Sequence, residues 1–195
     1  YSGALSVFKW RRTEIFEVPV EKDGIDMDKF EKILKKNNIK CFYTMSYFQN
    51  PTGISCSNYK KIQILKLAQI YDFYIIEDDY LSELIYDNSI KYNSFKSLDN
   101  NDRVVYIKSF SKIFLPGIRI GYLIPPKVFK ESIQNSKINT DISTSSIMQR
   151  ALDLYIRKGL WKNYIETLNC AYKKRYIYME KCILKYLGDK VEFVK

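Results

Sequence analysis

The chain has 195 residues, 46% of them hydrophobic and 15% aromatic, enough to build a sizeable core and too many for a disordered tail. It contains no histidine, which excludes Ser-His-Asp and Cys-His catalysis, helical zinc-protease sites and any histidine-ligated metal. The net charge of +10 is concentrated late: residues 127–195 hold 14 basic and 7 acidic side chains, against 18 and 15 in residues 1–126. Such a bias can mark a nucleic-acid surface, but a solvated, lysine-rich helix face is the simpler reading.

The four cysteines (Cys41, Cys56, Cys170 and Cys182) show no Cys-x-x-Cys spacing, and free thiols suit a reducing cytoplasm. No apolar run approaches the roughly 18 residues that span a bilayer, so no membrane partner is expected. Residues 1–12 lack the layout of a signal peptide. They also lack an initiator methionine, so the chain is expected to be processed or excerpted from a longer protein.

In chain order, helical periodicity first appears over residues 26–37, with Met27, Phe30, Ile33 and Leu34 inward and Asp26 as N-cap. A short apolar run at 39–46 reads as a strand. A second helix is predicted over 57–71, capped by Ser57, with Ile62, Leu65 and Ala68 inward. Strands are predicted at 73–77, 103–108 and 119–124. Their near-continuous hydrophobicity points to strands covered on both faces. Pro125-Pro126 ends the alternation. The rest of the chain is mainly helical in pattern: residues 144–158 up to Gly159, then a longer helix. In it Trp161, Ile165, Leu168, Tyr172, Tyr176, Met179 and Ile183 recur every three or four residues, until about Gly188. At about 1.5 Å per residue that helix spans roughly 40 Å, enough to bridge two domains. Residues 191–194 could open another strand.

The order predicts an α/β fold, a mainly parallel sheet with flanking helices, followed by a helix long enough to reach a second domain.

Three polar clusters each follow or close a predicted parallel strand: Asn-Pro-Thr-Gly at 50–53, Glu-Asp-Asp-Tyr at 77–80 and Ser-Phe-Ser-Lys at 109–112. Open α/β sheets bind ligands at that rim. An amide, a carboxylate, a tyrosine, two serines, a lysine and an arginine, without histidine, fit pyridoxal phosphate group by group. Its aldehyde needs a lysine and its ring nitrogen a carboxylate. Its phenolate oxygen and phosphate need hydrogen-bond donors and a guanidinium.

These stretches carry a resemblance to a known family. Residues 47–53 (Tyr-Phe-Gln-Asn-Pro-Thr-Gly), 76–84 (Ile-Glu-Asp-Asp-Tyr-Leu-Ser-Glu-Leu) and 109–122 (Ser-Phe-Ser-Lys-Ile-Phe-Leu-Pro-Gly-Ile-Arg-Ile-Gly-Tyr) resemble the class I/II aminotransferases of fold type I. Within them the chain is most similar to the aminotransferase-like domains of MocR/GntR regulators and to aminoadipate-type transaminases. The resemblance implies a role for each matching position. Lys112 corresponds to the cofactor-binding lysine and Asp78 to the carboxylate facing the ring nitrogen. Asp79 is the alternative acid, since neighbouring strand residues face opposite ways and only one can point at the ring. Tyr80 and Asn50 match the donors to the phenolate oxygen, Ser109, Ser111 and Arg119 the phosphate ligands, and Tyr1 the aromatic stacked on the ring. Gly117 and Gly121 around Arg119 argue for close backbone packing.

The implied activity is pyridoxal phosphate-dependent transfer of an amino group between an amino acid and a 2-oxo acid. The alternative is an effector-sensing domain of a MocR/GntR-type transcriptional regulator. The resemblance also implies a partial large domain over 1–160, an interdomain helix with the start of a smaller α+β domain over 161–195, and a homodimer, with DNA as a partner only if a helix-turn-helix domain lies upstream. In the family a phosphate-binding turn lies before Tyr1 and a substrate-carboxylate arginine after Lys195, so the amino donor is not readable here.

Overall fold

A computed structural model describes residues 1–85 and 91–191. Helix α2 (Met27–Lys36) forms as its pattern predicts. Asp26 caps it, accepting from the Lys29 amide at 3.0 Å, and Phe30 and Leu34, one turn apart, are its buried residues. Helix α3 (Asn58–Ile70) begins at Ser57, whose hydroxyl accepts from the Lys60 amide at 3.3 Å. Its inward face differs from the expected one. Ile62 is 45% exposed, whereas Lys61, Ile64, Leu65 and Ala68 are buried. Those four residues are spaced i, i+3, i+4, i+7, a complete helical stripe whose first position is a lysine.

The sheet has the order β3–β4–β5–β6, formed by Cys41–Thr44, Tyr74–Asp79, Val104–Ser109 and Gly121–Ile124. The first three strands are parallel, as predicted; β6 runs antiparallel to β5. Only residues 110–120 connect those two strands, and a parallel crossover needs a dozen residues or more, usually with a helix. Strand β4 continues two residues past its predicted end, so Asp78 and Asp79 lie within it. Arg119, expected in the last strand, stands before it with φ 54°. A two-residue hairpin, β1 (Val20–Glu21) with β2 (Gly24–Ile25), and the helices α1 (Ser2–Trp10) and α4 (Phe95–Leu98) were not legible as elements.

Burial alternates strictly along β4 and β5. Ile75 and Val104 join Phe30, Leu34, Ile64, Leu65, Ala68, Phe73 and Phe95 in the main core. Tyr74, Ile76, Asp78, Val105, Ile107 and Ser109 form the opposite face and are only half-buried. Cover is therefore unequal: one face is closed by helices. Among the described residues the other is partly covered, for example by Phe8 of α1 against Tyr43 and by Phe129 against Tyr74.

The remainder is helical as expected: α5 (Lys130–Asp141), α6 (Ser146–Arg157) and α7 (Leu160–Tyr186). Gly159 joins the last two with φ +69°, a conformation that suits glycine. Helix α7 has the predicted length, but none of its residues is fully buried. Trp161, Ile165, Leu168, Tyr176 and Ile183 form a half-buried stripe, while Tyr172 and Met179 are exposed. Ile118, Ile120 and Leu152 form a second, smaller core with Phe110, Phe114 and Tyr155. The strand expected over 191–194 lies, apart from Val191, outside the described residues.

Candidate active site

Because β3, β4 and β5 are parallel, their C-terminal ends share one edge, and each of the three polar clusters closes or follows one of those strands. Strand alternation then divides the acids of β4. Glu77 and Asp79 point to the closed face and Asp78 to the half-open one.

Each carboxylate has its own partners. Glu77 is fully buried and accepts from Ser46 Oγ at 2.6 Å and from the amides of Phe95 and Lys96 at 2.9 and 3.0 Å. Burial raises its pKa against the pull of those donors. Asp79 receives Lys108 Nζ at 3.1 Å, Tyr106 Oη at 2.5 Å, the Ser82 amide at 3.1 Å and the hydroxyl of Tyr92. Burial opposes its charge, but Lys108 and the hydroxyl donors hold the carboxyl below its ordinary value. Lys108 also donates to Ser82 Oγ and to Glu83 Oε2, both at 2.6 Å. Asp79 and Lys108 are register partners across β4 and β5, so this buried pair pins the two strands together. Asp78 is accordingly the acid of the three left at the half-open face. One of its oxygens, Oδ2, accepts from Tyr43 Oη at 2.6 Å.

The other predicted residues form smaller groups. Ser109 Oγ accepts from the Ser111 amide at 3.2 Å, and Ser111 Oγ accepts from Arg119 Nη1 at 3.4 Å, which joins those three into one string. Gly121 stands beside it in the tight approach predicted: a Cβ there would lie 2.5 Å from the Lys108 carbonyl oxygen. Gly117 does not, since a Cβ there would meet nothing within 4 Å. Tyr80 Oη donates to the Phe48 carbonyl at 2.9 Å, tying the residue after β4 to the turn that carries Asn50. Burial first, then the Asp78 charge, raises the Tyr80 pKa. Asn50 and Lys112 are exposed and, among the described residues, make no side-chain hydrogen bond; no ion pair joins Lys112 to Asp78. Tyr1 is 63% exposed at the start of α1.

Sequence reasoning missed Tyr43. Within the run Cys-Phe-Tyr-Thr an aromatic reads as core, and only its parity with Asp78 on the neighbouring strand could have singled it out. It also missed Lys61, which lies under the sheet with Nζ 3.8 Å from the centroid of the Tyr47 ring and donates to the Asn93 carbonyl at 2.7 Å.

The family model for aminotransferase class I and II matches residues 1–181. The chain belongs to that family. It is 35% identical over 162 residues to the HTH-type transcriptional regulator YcxD of Bacillus subtilis, a match that covers 83% of this chain and 36% of the regulator. It is 30% identical over 200 residues to aromatic-amino-acid aminotransferase 1 of Thermococcus litoralis, covering all of this chain and 48% of that enzyme. Among solved structures it is similar to kynurenine aminotransferase of Pyrococcus horikoshii, determined in complex with PMP, KYN as substrates and KYA as products. That match has a TM-score of 0.91, 30% identity, and covers 95% of this chain and 47% of that one. The chain thus spans between about a third and a half of the length of these curated relatives. The fold is that of fold type I aminotransferases, carrying part of the full architecture. Among the described residues no helix is long and apolar enough to cross a membrane.

Proposed function

We propose that the protein holds pyridoxal phosphate at this edge and transfers an amino group between an amino acid and a 2-oxo acid. The family and the PMP held by the Pyrococcus structure support the cofactor, and so does the donor set. A partnered carboxylate, an unpaired amine, a phenol, and two hydroxyls strung to a guanidinium suit a flat, cationic ring bearing an aldehyde and a phosphate. When bound, that cofactor supplies a carbonyl that condenses with amines and a ring that draws electron density from the substrate α-carbon.

In this reading Lys112 Nζ would hold the cofactor by its aldehyde and, as a free amine, would serve as general base for the substrate α-proton. Asp78 keeps a proton on the ring nitrogen. Asn50 would donate to the phenolate oxygen, as would Tyr80 once its hydroxyl turns from the Phe48 carbonyl; Ser109, Ser111 and Arg119 would hold the phosphate, and Tyr1 would stack on the ring. The observation that carries the reading is the division of charge across the sheet. Asp79 and Lys108 neutralise each other on the closed face, while Asp78 and Ser109, one residue before and one after them, are left at the rim of the other.

The same reading takes residues 1–160 as part of the large domain and 161–195 as the helix leading into a smaller one. It also makes the protein a cytoplasmic homodimer; its four free cysteines are compatible with that compartment.

The test is borohydride reduction of the full-length protein incubated with pyridoxal phosphate, followed by peptide mapping. A phosphopyridoxyl group on Lys112, lost in Lys112→Ala, is expected. Labelling of another lysine, or of none, overturns the assignment.

Similarity to YcxD favours a second reading, an effector-sensing domain of a MocR/GntR-type regulator that uses the same residues. DNA binding by the full-length protein that changes with added amino acid would select it. Turnover of an amino donor without DNA binding would select the enzyme.

A further inference from the structure

Tyr43 lies on β3 opposite Ile76 of β4, so Asp78, two residues on, is its diagonal neighbour on the same face. The Tyr43 hydroxyl donates to Asp78 Oδ2 at 2.6 Å. Phe8 of α1 stands edge-on to the Tyr43 ring, with centroids 6.4 Å apart. Burial first, then the bond to Asp78 and that residue's charge, raise the Tyr43 pKa far above its ordinary value, so the phenol stays protonated and acts as a donor at any working pH. Tyr1 and Tyr80 lie close enough to contribute to the same shift.

We infer that Tyr43 is a positioning residue: its hydroxyl fixes the plane of the Asp78 carboxylate and leaves Oδ1 to meet the cofactor ring nitrogen. This rests on the preceding reading of Asp78. A carboxylate without such a donor rotates about its own axis and must be ordered when the ligand binds. Tyr43→Phe keeps the ring against Phe8 and removes the donor alone.

The experiment is a double-mutant cycle on the full-length protein: pyridoxal phosphate titrations of the unmutated protein, Tyr43→Phe, Asp78→Ala and the double variant. Tyr43→Phe is expected to weaken binding about three- to tenfold, the cost of ordering one freed side chain. In the Asp78→Ala background the same change is expected to do nothing further. An unchanged affinity in Tyr43→Phe, or an equal loss in both backgrounds, overturns the inference, because a merely structural tyrosine would act without Asp78. A second readout needs no cofactor. In ring-labelled protein observed by NMR at neutral pH, Asp78→Ala is expected to move the Tyr43 ring-carbon resonances, and unmoved resonances show that the bond is absent in solution. If the unmutated protein fails to bind pyridoxal phosphate, the cofactor reading falls and this inference with it. Intact binding without coupling defeats only the role of Tyr43.

Discussion

Lys61 offers a measurable test of how this fold treats buried charge. It is fully buried on α3, and burial pushes its pKa from 10.5 down to about 8. One pKa unit corresponds to about 1.4 kcal/mol, so holding the ammonium inside costs on the order of 3 kcal/mol at neutral pH. Lys61→Met keeps the length and packing of the side chain and removes that cost. It also removes the hydrogen bond to the Asn93 carbonyl, about 1 kcal/mol, and the contact of the ammonium with the Tyr47 ring, about 1 kcal/mol. Glu77 loses a nearby cation but retains its three donors. The net expectation is a gain of about 1 kcal/mol at pH 7, read by chemical denaturation of the full-length protein.

The pH dependence has a definite sign. The folded pKa is depressed, so between pH 8 and 10.5 the unfolded chain holds the extra proton, and the unmutated protein gains stability as pH rises through that window. The methionine variant has no such gain, so its advantage should shrink from pH 8 upward and be gone by about pH 10.5. Lower stability of the variant at pH 7, or a difference that does not change with pH, refutes the reasoning.

Lys108→Met leaves Asp79 buried without its cation, and breaking such a pair costs about 3–5 kcal/mol. The Asp79 pKa is depressed, so the pair contributes above its ordinary 3.8 and the contribution is lost as pH falls through the folded value; the gap between variant and parent should be widest near neutral pH and narrow in acid. Gly121→Ala drives a methyl group to 2.5 Å from the Lys108 carbonyl and should cost about 1–3 kcal/mol, with hydrogen exchange rising first in β5 and β6. Ser57→Ala removes the cap of α3 and should cost about 1 kcal/mol in the same denaturation assay.

The parts of the fold that were legible are those in which apolar spacing and burial coincide. Phe30 and Leu34 repeat one turn apart behind a capping aspartate, and the helix lies where that pattern places it. The illegible parts are those in which a polar side chain does the work of an apolar one. Lys61 begins the buried stripe of α3, so a search for hydrophobic positions chose Ile62, which faces solvent. Helix α7 failed in the opposite way. Its aromatic and aliphatic residues have core spacing, yet none is fully buried, because periodicity reports which face is apolar and not whether anything packs against it.

The candidate site shows the same division. Its clusters were legible because parallel strands end at one edge, so sequence position after a strand translates directly into position in space. The choice between Asp78 and Asp79 was not legible from strand geometry, since alternation requires opposite faces without saying which face holds the ligand. Lys108 supplies the missing sign. A buried cation paired with Asp79 across β4 and β5, with Tyr92 and Tyr106 on the same carboxylate, consumes that acid in holding the sheet together. That pairing is what supports taking Asp78 as the acid of the proposed function. Tyr43, which donates to Asp78 from the same face, is where that reading is tested.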